Sequence, residues 1–148
     1  MMQDVIRKFE KLLDQNLDYI KKADKAVLEF KPENKWSKKE ILGHLVDSAI
    51  HNLVRFTEIH YVAKPYAYRT YNQNDLVKIN RYQEIDIEEL AQLWLSINKQ
   101  ILRVFKSASE ETLQYEIELN DKSIVNLRFL MTDYVDHLEH HINQIKSN

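Results

Sequence analysis

A chain of 148 residues with one glycine and two prolines has little to make tight turns with. Strand-rich folds need frequent turns, and those turns draw on glycine. The scarcity therefore favours a few long helices joined by a few connections.

Apolar spacing agrees. Val5, Phe9, Leu12, Leu13, Leu17 and Ile20 recur at three and four residues, which predicts a first helix from about Gln3 to about Lys22. AVLEFKPENK leads out of it, and Pro32 disfavours helix at Lys31. The second helix has the clearest start signal. Ser37 and Glu40 form a capping box, and Trp36 and Ile41 flank it as a hydrophobic staple. It runs to about His60, roughly 35 Å at ~1.5 Å per residue, with a stripe of Ile41, Leu45, Ala49, Leu53 and Phe56. Residues 62–84 read as a long connection, broken early by Pro65, with a short helix near Asn74–Ile79. The third helix repeats the start grammar with Asp86 as cap and Glu89 three residues on, and its stripe is Leu90, Trp94, Ile97, Ile101 and Phe105. LQYEIELNDKSI alternates around Asn120-Asp121, as an extended stretch or small hairpin would. The fourth helix is expected from near Ser123 to about Lys146. The fold class is thus all-α: a four-helix bundle with a long connection between helices two and three and a short extended stretch before helix four.

Composition narrows the function. A length of 148 residues suggests a single domain over 1–148. With no cysteine there is no disulfide, thiolate ligand or cysteine nucleophile. A net charge of −2, with both signs interspersed, argues against a nucleic-acid partner. No run of about 18 apolar residues could span a bilayer, and MMQDVIRKFE has no apolar signal core. These features lead us to expect a cytoplasmic protein.

The chemistry concentrates in histidines. His137 and His141 in DYVDHLEHHINQI lie one turn apart, which suits two imidazoles sharing one ion. Both fall on the apolar seam with Leu127, Leu130, Tyr134, Leu138 and Ile145, where an unpaired imidazole is costly. His44 in WSKKEILGHLVDS sits at the edge of its helix's stripe. If the second and fourth helices are antiparallel neighbours, an early and a late position meet at one end of the bundle. Three protein ligands with an open position is the pattern of a catalytic metal. The pair alone also fits two packed histidines that each hydrogen-bond a neighbour. Asp47 and Asp133 are candidates to orient a ligating imidazole, or are ordinary acids. Ser48, Arg55 and Tyr134 are candidates to face a substrate. His140 is rotated away from the seam, His51 lies two turns beyond His44, and His60 marks a helix end. Imidazole ligands suit zinc, nickel, iron or copper alike.

WSKKEILGHLVDSAIHNLVRF, YNQND and DYVDHLEHHINQI together resemble the DinB-like superfamily, with its YfiT-type members, over nearly the whole chain. The resemblance implies a four-helix bundle with a divalent metal, zinc or nickel, held by His44, His137 and His141. It implies a small-molecule substrate, with a low-molecular-weight thiol among the partners. Activities in the family include transfer or isomerisation involving thiol cofactors and metal-dependent hydrolysis. The expectation is a metal-dependent enzyme that activates a thiol or water, with thiol S-transfer slightly ahead of hydrolysis. The alternative is a non-catalytic, stress-related metal-binding bundle acting as a binding or dimerisation module. A homodimer is compatible with either.

Overall fold

The computed structural model describes residues 2–147. Its helices are α1 (Met2–Lys22), α2 (Lys25–Glu29), α3 (Lys38–Glu58), α4 (Gln73–Asn80), α5 (Ile87–Ser107) and α6 (Leu127–Lys146). The long helices α1, α3, α5 and α6 form a four-helix bundle. Around it, α3 packs on α5 and α6, and α1 packs on the same two.

Cross-helix contacts give the directions. The Phe105 ring lies 5.4 Å from Phe9 and 5.1 Å from Phe56, so the start of α1 meets the ends of α3 and α5. Lys38 Nζ donates to the Tyr19 hydroxyl at 3.2 Å and to the Ser147 carbonyl, so the start of α3 meets the ends of α1 and α6. Therefore α1 and α6 run one way and α3 and α5 the other. Parallel neighbours cannot be joined by a tight turn. Residues 59–86 make the return crossing from the end of α3 to the start of α5, and α4 forms within them.

Phe9, Phe56, Trp94 and Phe105 are fully buried at the centre, each removing roughly 150–250 Å² from water. Tyr134 joins their cluster and donates its hydroxyl proton to Asn98 Oδ1 at 2.6 Å. That bond satisfies the one polar atom its ring carries into the core.

The Ser37 capping box forms in full. Ser37 Oγ accepts from the Glu40 amide at 3.1 Å, and Glu40 Oε1 accepts from the Ser37 amide at 3.0 Å. Asp86 caps α5 by accepting from the Glu88 and Glu89 amides.

Two expectations need correction. The segment after α1 is more than a lead-out: α2 forms there and buries Leu28 against the bundle. The last helix starts at Leu127 rather than near Ser123. The strand β3 (Ile124–Asn126) is instead paired antiparallel with β2 (Glu116–Glu118), and the Asn126 side chain caps α6 by accepting from the Phe129 amide at 2.9 Å. The hairpin also pairs in parallel with β1 (Tyr66–Ala67), which ties the crossing segment to the far end of the bundle. Among the described residues, no helix is long and apolar enough to cross a membrane.

Candidate metal centre

The opposite directions of α3 and α6 bring an early residue of one to late residues of the other. The His44 ring lies 5.5 Å from His137 and 4.7 Å from His141, centroid to centroid. One nitrogen from each of the three lies within 4.8 Å of the others, close enough to share one ion. The cap at Ser37 fixes where α3 begins and hence the face on which His44 falls. The staple residue Trp36 covers the His44 ring at 5.0 Å.

His44 is fully buried, yet neither of its ring nitrogens has a hydrogen-bond partner among the described residues. An orphaned buried imidazole is costly unless something fills its lone pair. His137 Nε2 and His141 Nε2 face each other at 3.1 Å. Gln144 presents its Oε1 to His141 Nδ1 at 2.7 Å. A carbonyl oxygen there places the proton on Nδ1 and leaves Nε2 as a lone pair directed at His137.

Burial holds all three rings neutral at neutral pH. It pulls His44 down to about 3, helped by the other two imidazoles. It pulls His137 down to about 4 and lowers His141 as well. Neutral imidazoles that each bring a ring nitrogen within 4.8 Å of the other two form a donor set suited to a borderline divalent ion. The residues present fit such an ion.

The DinB superfamily profile matches residues 8–145. The chain belongs to the DinB superfamily. No curated protein sequence matches it. Among solved structures, it is similar to YfiT from Bacillus subtilis, described as a probable metal-dependent hydrolase with an unusual four-helix bundle topology. That match has a TM-score of 0.86 at 18% identity and covers 98% of this chain and 83% of YfiT. A mycothiol-dependent maleylpyruvate isomerase matches with a TM-score of 0.74 at 12% identity, covering 98% of this chain and 60% of the isomerase. A variant of that isomerase gives 0.75 at 11%, covering 100% and 62%. At such identities the likeness speaks for the fold.

Other side chains of this DinB bundle depart from the sequence pattern in informative ways. Asp47 turns away from His44. Its Oδ1 accepts from the Tyr82 hydroxyl at 2.6 Å and from Asn80 Nδ2 at 3.0 Å, while Oδ2 is buried without a partner. Burial pushes its carboxyl up, against the pull of those two hydrogen bonds. Tyr82 reaches Asp47 by lying flat against α3 at the chain's single glycine. A Cβ on Gly43 would stand 2.2 Å from Tyr82 Cγ. Asp133 is exposed and hydrogen-bonds no imidazole among the described residues. His51 donates through Nδ1 to the Asp47 carbonyl at 2.8 Å and stacks on Tyr71 at 4.1 Å. His140 and His60 are exposed.

Two cavities reach the histidines from different sides. One of about 150 Å³ touches His137 and is lined by Ser48, Asn52, Arg55, Tyr71, Asp133 and Tyr134 among others. The other, of about 820 Å³, touches His141 and is walled by Phe30, Trp36, Ile41 and the lysines 31, 35 and 38. The sequence pattern pointed to Ser48, Arg55, Asp133 and Tyr134 as pocket candidates but passed over Gln144. Its spacing of three from His141 was the available signal.

Proposed function

We propose that this DinB protein is a divalent-metal-dependent enzyme, with His44, His137 and His141 as the ligands and zinc or nickel as the ion. The observation that carries the reading is the unpartnered, fully buried His44 aimed at two imidazoles whose Nε2 atoms meet at 3.1 Å. When bound, the ion supplies a Lewis-acid charge that lowers the pKa of a thiol or a water at neutral pH.

The favoured reaction is transfer of a low-molecular-weight thiol to a small electrophile. Two cavities meeting at one histidine cluster suit two reactants, the thiol on the wider His141 side and the electrophile on the narrower His137 side. In the transfer, the thiol proton passes to water. A carbon–sulfur bond forms, and the bond to the leaving group breaks with its electron pair. Hydrolysis asks more of the side chains, because water must lose a proton during attack. Among the described residues no carboxylate hydrogen-bonds the cluster, and Asp133 stands exposed at the rim. Trp36 shields His44, and Gln144 holds the His141 tautomer.

Elemental mass spectrometry on untagged protein tests the reading, with His44→Ala and His141→Ala beside wild type. We expect close to one zinc or nickel ion per chain, lost in both variants. The loaded protein should then consume a thiol in the presence of an alkyl or acyl electrophile. Absence of metal after reconstitution would sink the proposal.

A further inference from the structure

Arg55 is buried to 5% exposure, yet among the described residues no carboxylate lies within 4.0 Å of it. Its guanidinium donates to Asn52 Oδ1 at 3.2 Å and to the Arg69 carbonyl, and lies over the Tyr68 ring at 4.1 Å. These neutral contacts hold its position but leave its charge without a counter-ion. A guanidinium carries more N–H groups than two acceptors use. Buried charges are ordinarily paired, because desolvation without a partner is costly.

The side chain lines the cavity of about 150 Å³ that ends at His137. His44, Ser48, Asn52 and Arg55 succeed one another at intervals of four, four and three, so they share one face of α3. That face leads from the histidine cluster down to the guanidinium. His137, Asp133, Tyr134 and Leu130 return along α6 on the opposite wall. The volume is below the roughly 300–1,000 Å³ of pockets that take drug-sized ligands. It admits a molecule of a few carbons.

We propose that this cavity is a carboxylate subsite in which Arg55 receives the anionic end of a short-chain substrate and holds its other end toward the histidine cluster. Asn52, Ser48 and Tyr71 complete the polar lining, and Leu130 with Tyr134 encloses the carbon chain. Arg55 suits a planar carboxylate because its fork donates two parallel hydrogen bonds. Asp133 on the opposite wall is exposed to solvent and, among the described residues, forms no ion pair with the guanidinium within 4.0 Å. The assignment of the far end as the reacting end rests on the metal-enzyme reading above. The binding itself does not.

The test is isothermal titration of butyrate into the whole chain, as purified and again after chelation, with butyramide as the uncharged control. Wild type should bind butyrate in both states and prefer it to butyramide by about tenfold or more. Arg55→Gln should abolish that preference, and Arg55→Lys should weaken butyrate by about tenfold because an ammonium cannot form the paired contact. Thermal melts establish that each variant is folded. The wild-type comparison of acid with amide stands even if a variant is not. His141→Ala, outside this cavity, should bind butyrate as wild type does. Equal binding of acid and amide, or butyrate binding unchanged in a folded Arg55→Gln, overturns the proposal. Butyrate binding that disappears on chelation and in His141→Ala also overturns it, while leaving the metal reading intact. A chain without metal that still binds butyrate through Arg55 supports the subsite and removes the metal reading.

Discussion

The Nε2 atoms of His137 and His141 face each other at 3.1 Å, and the tautomer on one side is set by Gln144. Two lone pairs at that distance repel unless a proton or a cation lies between them. On the proposed metal reading, Gln144 acts on the ion through His141, although it lies outside the proposed ligand set.

Replacing Gln144 by leucine should weaken metal affinity by about 10–100-fold, the usual cost of losing a partner behind a ligating imidazole. Competition with a fluorescent zinc chelator measures it. Gln144→Glu should restore most of the affinity, since a carboxylate accepts the same Nδ1 proton. Equal affinity in all three proteins would show that the contact does not matter to the metal.

The metal-free protein should lose stability as acid is added. Folding lowers the pKa of His44 from its ordinary 6.5 to about 3 and that of His137 to about 4, with His141 moved the same way. Between those values and 6.5 the unfolded chain binds protons that the folded chain refuses. Stability is therefore complete above pH 6.5 and falls through the window down to about 3. Urea titrations of chelated protein across that range should give falling midpoints. The slope should be smaller in His44→Phe, which has one fewer buried imidazole to charge.

Gly43→Ala should destabilise the bundle by about 1–3 kcal/mol through overpacking. The added Cβ would meet Tyr82 Cγ at 2.2 Å and Cδ2 at 2.3 Å. Displacing that ring also strips Asp47 of its 2.6 Å donor. The cost should be strongly non-additive with Tyr82→Ala, because the two substitutions act on one contact. A double-mutant cycle by urea denaturation reads this directly, and additive costs would refute the coupling.

Ser37→Ala removes the side chain that caps α3 and should cost about 1 kcal/mol. For a chain of this size that corresponds to roughly 2–4 °C in Tm. The cap fixes the start of the helix that carries His44, so metal affinity should fall with it. A circular-dichroism melt and a zinc titration on the same sample separate the two effects.

Much of this was legible along the chain. Each long helix repeats its apolar residues at three and four, and Ser37 with Glu40 marks a start that the structure keeps to the residue. The alternation before the last helix fitted either an extended stretch or a small hairpin, and the structure has the hairpin. The start of α6 was misplaced because Ile124–Asn126 pair with Glu116–Glu118, and a strand that short has no periodicity of its own. The helix α2 was missed for a similar reason: at five residues it has one buried position, Leu28, and no repeat to reveal it.

The shared face of His137 and His141 follows from a spacing of four on one helix, so the sequence alone determines it. The arrival of His44 does not follow from any local pattern. It depends on α3 and α6 running in opposite directions side by side, and that choice is made when four apolar stripes pack together at once. Asp47 shows the same limit. Its spacing of three from His44 suggested a partner for the imidazole, but packing of Tyr82 against Gly43 drew the carboxylate the other way. Burial of Arg55 with no carboxylate within 4.0 Å among the described residues is likewise a property of three segments meeting, α3, α6 and the residues around Tyr68. Neighbours along a helix are related by a fixed geometry that residue order encodes. Neighbours across helices are related by packing, which only the tertiary structure decides.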